Sequence, residues 1–203
     1  MNSVLTMPRT TLEALADATR TPLPWRPPQR PVTREPIPPP LTDALATFGS
    51  PEVIVDLDLV VRGGGQLCSW HRLRGARVTA VSAADDATLA LAWFDAARWP
   101  GALAQAATVE APDVGPPPPA TVDVAFDALV AGRAGARLRD SAGRLRVTVA
   151  GRRGVGWVSW VLFTDGWREL TPYVERGVPM VRLRSVPPER LGERVVRLAA
   201  GAR

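Results

Sequence analysis

The sequence predicts an α+β fold built from two pseudo-symmetric repeats, each with about four antiparallel strands followed by a helix, that together form a mixed α/β sheet architecture. Alternating apolar and polar residues indicate strands in both halves of the chain. Elements of the second half begin 90 to 92 residues after their counterparts in the first half. This period is too long for a solenoid, so we expect the two repeats to join around a pseudo-twofold axis.

The size and composition are those of a globular protein. The chain has 203 residues, of which 46% are hydrophobic and 22% are charged. This is enough for a sizeable core. The longest uninterrupted apolar run, residues 89–94, is much too short for a membrane span, and no signal-peptide hydrophobic region is present. We therefore expect a cytoplasmic protein without a membrane span.

Two proline-rich segments divide the chain. Residues 22–40 and 112–119 contain 14 of the 21 prolines, which favours extended linkers, although residues 36–40 also fit a PxxP ligand. The predicted organisation of one domain has four parts: a short helix and a proline-rich segment (1–50), the first repeat (51–111), a proline-rich linker with a connector helix at 122–131 (112–143), and the second repeat (144–203).

Within these parts, periodicity and turn residues predict the elements in order. An amphipathic stretch at residues 10–18 predicts the first helix. The expected strands and closing helix of the first repeat are 53–61, 67–73, 77–83, 88–92 and a helix from residue 95 or 100 to 107. Those of the second are 144–150, 157–163, 168–173, about 180–184 and a helix at 187–200. Strand 157–163 is apolar on both faces, which indicates a central strand.

Glycine-rich stretches predict turns. Residues 63–65 and 151–156 are followed by strands, whereas a phosphate loop needs a helix N-terminus there. Both are therefore predicted to be hairpin connections, and Asp85 and Asp86 are expected in a turn.

The chain offers few groups for catalysis. Its only cysteine and histidine, Cys68 and His71, are three residues apart on a predicted strand, so their side chains point to opposite faces. We expect Cys68 to be a small buried residue and His71 to lie on a partly exposed strand face. Asp56 and Asp58 share one strand face, a pairing that acid–base chemistry uses, but a solvated polar face explains them more simply. The sequence thus predicts no enzyme, cofactor or metal site.

The positive charge is uneven. All 25 basic residues are arginines, and from residue 133 onward there are 15 arginines and 6 acidic residues. A patch of arginines with one tryptophan gives an alternative hypothesis, an Arg-rich nucleic-acid-associated protein. Its members are Arg144, Arg146, Arg152, Arg153 and Trp157. Because the chain has no lysine, these arginines also serve ordinary solubility, and we expect nucleic acid not to be the partner.

The order and spacing of several segments resemble the EspG family, the cytosolic chaperones associated with type VII (ESX) secretion systems. The segments that carry the resemblance are 12–15 with 22–25, 50–57, 77–81, 158–168 and 187–191. The sequence departs from the family pattern between residues 25 and 41, where a proline-rich stretch replaces a segment with helical character.

The resemblance implies a mixed α/β protein with internal pseudo-symmetry and no catalytic activity. It also implies a partner: a helical secretion substrate of the PE/PPE or Trp-Xaa-Gly type, bound before export. We expect such a client to dock on an apolar groove. Tryptophan and arginine are enriched in binding hot spots, so the predicted partner-binding residues are Arg152, Arg153, Trp157 and Trp167.

Overall fold

The computed structural model describes residues 3–30, 36–83, 85, 87–109, 111–112, 117–130 and 141–203. Within these residues it contains ten strands and five α-helices. The strands are β1 (Ser3–Pro8), β2 (Val53–Val61), β3 (Gly65–Arg74), β4 (Arg77–Ala83), β5 (Thr88–Asp95), β6 (Thr121–Ala125), β7 (Gly143–Gly151), β8 (Gly154–Phe163), β9 (Gly166–Glu175) and β10 (Val178–Val186). The helices are α1 (Arg9–Ala18), α2 (Pro39–Gly49), α3 (Trp99–Ala106), α4 (Phe126–Val130) and α5 (Pro188–Ala202).

All ten strands form one antiparallel sheet in the order β1-β5-β4-β3-β2-β7-β8-β9-β10-β6. The two repeats meet where β2 pairs with β7, with Leu57 opposite Val147. These two residues are 90 positions apart, so the pseudo-twofold axis passes between them. The predicted fold class and its duplicated plan are confirmed, and β8 is the internal strand that its apolar faces indicated. The four segment boundaries stay a prediction.

Each half also contains an outer strand that the sequence analysis missed. β1 pairs with β5 and leads into α1, while β6 pairs with β10 and leads into α4. The expected connector helix at 122–131 is therefore wrong over its first part, because Val122 and Val124 alternate with exposed neighbours as in a strand. Residue 131, Asp86 and parts of both proline-rich segments lie outside the described residues.

Helices α3 and α5 cover one side of the sheet, which we call the helix face. The main core lies between these helices and the buried side chains of the central strands, such as Val55 and Val147. The two helices cross at Gly192, where an added Cβ would lie 2.3 Å from the carbonyl oxygen of Pro100. A side chain at this position would push the helices apart, so glycine sets the distance of the crossing.

On the opposite side of the sheet, the helices of the described part of the chain pack only at the two ends. In the first half, α1 and α2 pack on β4 and β5 through residues such as Leu12 and Leu45, and in the second half Leu129 of α4 packs near Phe163. The described part of the first proline-rich segment is not a free linker, because Leu23 is buried there. Trp25 donates a hydrogen bond to Glu13 over 2.9 Å.

The predicted hairpins are confirmed at both glycine-rich stretches. Gly151 pairs with Gly154 across a turn of only two residues, and Gly154 has φ +136°, a conformation that L side chains rarely adopt. The other stretch turns through Gly63 and Gly64 before β3 begins. No helix in the described residues is long and apolar enough to cross a membrane.

Candidate functional site

The centre of the sheet is exposed on the side opposite the helix face. Helices cover both ends of that side, but the middle strands β2, β7 and β8 present their side chains to solvent. We define the open sheet face by its exposed residues Ile54, Arg144, Arg146, Val155 and Trp157.

Strand pairing arranges these side chains in rows that run across the sheet. Ile54 lies opposite Ala150, which lies opposite Val155. In the next row, Thr148 of β7 separates Asp56 from Trp157. Side chains that are directly opposite one another in neighbouring strands point to the same face. The register therefore gives the open sheet face an apolar end and, at Arg144 and Arg146, a basic end.

Large apolar side chains on this face are unusually accessible to solvent. Trp157 is 55% exposed, Val155 is 74% exposed and Ile54 is 38% exposed. Tryptophan is normally well covered in folded chains, and exposed apolar residues that cluster on one surface are typical of an interaction site. The clustering of these three residues makes the open sheet face the candidate functional site.

The structure separates the predicted partner-binding residues. Arg152 and Arg153 are exposed in the β7–β8 turn, three and two positions before Val155. Trp157 lies on the open sheet face, but Trp167 is only 3% exposed and points to the helix face, where its indole N–H donates to the carbonyl oxygen of Ala107 over 2.9 Å. Because Trp167 is a core residue, it cannot belong to an exposed surface, and we remove it from the candidate site.

Side-chain contacts fix the edges of the open sheet face. On the first-repeat side, the rings of Trp25 and Trp70 are 4.9 Å apart, and Arg72 holds Asp56 over 2.7 Å. On the second-repeat side, the buried Arg168 donates to Asp165 over 2.6 Å and to the carbonyl oxygen of Pro118. These contacts hold both borders of the open sheet face in place, so this face has a defined width.

The paired carboxylates on this face each have a partner of their own. Asp56 binds Arg72, and Asp58 accepts a hydrogen bond from the amide of Gln66 over 2.7 Å. A carboxylate dyad for acid–base chemistry shares a proton or a substrate between its two members. These separate partners favour a structural role for both residues.

His71 is buried, and the expectation of a partly exposed histidine is wrong. Its Nδ1 accepts a hydrogen bond from the indole N–H of Trp99 over 2.9 Å, and its Nε2 lies 2.8 Å from Ser69 Oγ. Burial, with a smaller contribution from the charge of Arg72, lowers the pKa of His71 to about 3. The imidazole is therefore neutral at physiological pH.

The hydrogen bonds also determine which nitrogen of His71 carries the proton. An indole N–H can only donate, so Nδ1 is the acceptor and Nε2 is protonated and donates to Ser69. A base that activates Ser69 would need a free lone pair on Nε2. This serine and histidine, although close together, are thus held in the tautomer that cannot perform nucleophilic catalysis.

The remaining chemistry-bearing groups form no site. Cys68 is half-buried and on the opposite face from His71, and burial raises the pKa of its thiol. Among the residues that the structure describes, no group of three or more His, Cys, Asp and Glu side chains could hold a metal ion.

Neither a protein-family model nor a curated protein matches this sequence. A solved structure does match: the type VII secretion system chaperone EspG5 of Mycobacterium tuberculosis, in complex with the PE25–PPE41 dimer. The TM-score is 0.63 at 12% identity, and the alignment covers 98% of this chain and 96% of EspG5. This chain has an EspG-like fold. At this identity the likeness establishes the architecture alone.

Residue type predicts Trp157 as a site residue, but it does not predict Ile54 and Val155. The signal was present in β8, where Val155 and Trp157 are two residues apart and so share a face. What could not be predicted is that helices would leave this face uncovered.

Proposed function

We propose that this chain is a non-catalytic cytoplasmic chaperone that holds a helical type VII secretion substrate, of the PE/PPE or Trp-Xaa-Gly type, before export. The EspG-like fold supports the proposal, since EspG5 is a chaperone in complex with a PE–PPE dimer. The observation that carries it is the open sheet face with the exposed Trp157 at its apolar end.

The shape and chemistry of this face suit a helical client. An amphipathic helix can lay its apolar side against Ile54, Val155 and Trp157, which form one continuous apolar end of the face. Covering an exposed indole removes on the order of 100 Å² of apolar surface from water, which corresponds to about 2 kcal/mol. Trp157 is therefore expected to be the hot spot of the interface.

Co-expression of the tagged chain with small PE/PPE-like or Trp-Xaa-Gly proteins encoded beside it tests the proposal. We expect stoichiometric capture at low and at high salt, because apolar burial is only weakly salt-sensitive. Trp157→Ala should weaken capture at least about tenfold. Val178→Ala is the matched control, since Val178 is 49% exposed but lies on the helix-face side of β10. Equal loss in both variants, or no loss in Trp157→Ala, would contradict docking on the open sheet face.

A second candidate function has its own supporting observation. Arg144 and Arg146 lie on β7, next to Trp157 on β8 and on the same face, so phosphate contacts and base stacking are both available there. If nucleic acid alone co-purifies with the chain and is released at high salt, this second function replaces the chaperone proposal.

A further inference from the structure

A second charged surface lies on the helix face, beside α5. Strands β9 and β10 and one side of α5 enclose an open cavity of about 680 Å³. Five arginines and two glutamates line it, which leaves a surplus of three positive charges. We call this cavity the arginine trough, and its charged residues are Arg182, Arg184, Arg190, Arg194, Arg197, Glu169 and Glu193.

The arginines form two rows on facing elements. Arg190, Arg194 and Arg197 are spaced i, i+4, i+7, so they share one side of α5. Arg182 and Arg184 are two residues apart on β10 and share one side of that strand. The helical row extends over about 10 Å, because an α-helix rises 1.5 Å per residue. The positive charge is thus distributed along an elongated groove.

Three of these arginines have acidic partners. Arg182 contacts Asp123 through two bonds of 2.8 and 3.1 Å, and Arg190 contacts Glu193 over 2.9 Å. Arg194 contacts Glu169 over 3.3 Å.

Two arginines remain. Among the described residues, Arg184 and Arg197 have no carboxylate within 4.0 Å and no hydrogen-bond partner. Their guanidinium groups are therefore available to a ligand that brings its own negative charge.

The fold does not require arginines at these positions. In the first repeat, the equivalent positions on the helix face belong to a smaller apolar cavity of about 170 Å³. The Val78–Phe94 pair of the first repeat is equivalent to the Trp167–Val186 pair of the second. Two residues further along each strand, the Ala80–Ala92 pair of the small cavity is equivalent to the Glu169–Arg184 pair of the trough. Two positions that the strand register makes equivalent thus carry alanines in one repeat and charged residues in the other, so the architecture alone does not fix the charge of the trough.

We propose that the arginine trough binds an extended acidic segment of a partner polypeptide, with carboxylates that pair with Arg184 and Arg197. Arginine binds carboxylates through two parallel hydrogen bonds, and arginine clusters are a recurrent means of recognising acidic motifs. The charges are spread along the groove and interrupted by Glu169 and Glu193, which suits separated carboxylates better than one compact phosphate. The trough and the open sheet face lie on opposite sides of the sheet, so this proposal does not depend on the chaperone proposal.

Fluorescence anisotropy with the full chain tests the proposal. The probe is a short labelled peptide of alternating Glu and Gly, with a Gln–Gly peptide of equal length as the uncharged control. We expect the acidic peptide to bind and the uncharged peptide not to bind. The double variant Arg184→Gln/Arg197→Gln should weaken binding of the acidic peptide about tenfold or more. The matched control is Arg152→Gln with Arg153→Gln, which removes the same charge from the β7–β8 turn and should leave the affinity within about twofold.

Three outcomes would overturn the proposal. Equal weakening by both double variants would mean that the peptide responds only to net charge. Absence of binding to the wild-type chain at low salt would mean that the trough binds no acidic segment. The third outcome is that single-stranded oligothymidine binds more tightly than the peptide, competes with it, and no longer binds the Arg184/Arg197 variant. This outcome would assign the trough to nucleic acid. Circular dichroism of each variant confirms that the fold is kept, so a loss of binding can be attributed to the trough.

Discussion

The two repeats share a backbone plan and differ in what their equivalent cavities contain. On the helix face of the first repeat, alanines and serines line a small apolar cavity that ends at the neutral His71. On the same face of the second repeat, arginines line a cavity several times larger. Both repeats have the same order of strand pairing, and their closing helices α3 and α5 cross each other. The residues that line each cavity can therefore differ while the architecture stays the same.

In a duplicated fold, function has to be sought where equivalent positions of the two repeats differ. Residues that maintain the symmetry, such as Leu57 and Val147 at the axis, explain stability. Other residues break the symmetry. Examples are Arg184, whose equivalent in the first repeat is Ala92, and the exposed Trp157. We expect such residues to contact a partner. The following predictions test this division.

The largest effect is expected at the helix crossing, where Gly192 is closely packed and Gly101 is not. Gly192→Ala places a Cβ against the backbone of Pro100 and should lower the free energy of unfolding by about 3 kcal/mol. Gly101 is near the start of the partner helix and has no atom within 4 Å of an added Cβ. Gly101→Ala should therefore be neutral or stabilising by up to about 1 kcal/mol. Urea denaturation of both variants measures the difference, and similar losses in the two would contradict this geometry.

The next-largest effect is a pH dependence of the free energy of unfolding, which we expect to come from the neutral His71 of the first repeat. Since the pKa of His71 is about 3 in the folded chain and 6.5 in a free histidine, the unfolded state binds the extra proton between these values. Stability is then fully present above pH 6.5 and is lost as the pH falls toward 3. The expected loss between pH 7 and pH 5 is about 2 kcal/mol.

Replacement of the histidine isolates this contribution. His71→Asn should be less stable at pH 7, but its unfolding free energy should change less between pH 7 and pH 5. Denaturant titrations at several pH values measure both slopes. An unchanged slope in the variant would mean that other groups cause the acid sensitivity.

A smaller effect is expected from filling the first cavity. Ala102 lines the apolar cavity of about 170 Å³, so Ala102→Leu should raise the free energy of unfolding by about 1 kcal/mol. Gln105→Leu on the same helix is exposed and adds apolar volume outside the cavity. It should change the free energy of unfolding little, and an equal increase in both variants would mean that the added apolar side chain stabilises the helix without filling the cavity.

The smallest effect on stability is expected in the arginine trough. Arg184→Gln with Arg197→Gln should leave the free energy of unfolding within about 0.5 kcal/mol, because these side chains are exposed and have no partner among the described residues. A thermal melt beside the wild-type chain checks this expectation. A loss above about 2 kcal/mol would show that the two arginines are structural.

Local patterns in the sequence predicted most of the sheet. The bounds of β4 agree with the prediction, and α5 begins and ends within two residues of its predicted range. The missed elements have physical reasons. β1 is short and pairs with residues of β5 that are 80 to 90 positions away in the chain, so no local pattern marks the pairing. The whole of α2 was missed, because Pro39 and Pro40 read as part of a linker although they occupy the first turn of the helix, where no backbone N–H is needed.

The site was harder to predict, because it depends on which face the helices cover. Trp157 and Trp167 are both tryptophans in second-repeat strands, yet one is exposed and the other is in the core. The environment of His71 depends on Trp99, which is 28 residues away. The trough had a local signal in the spacing of Arg190, Arg194 and Arg197, but only the fold places β10 beside that helix.

Site-specific photo-crosslinking shows whether a client docks on the open sheet face. A photoreactive phenylalanine analogue at position 157 should cross-link to the co-expressed helical client, whereas the same group at position 178, which is exposed on the helix-face side, should not. Cross-links at position 178 with none at position 157 would contradict docking on the open sheet face.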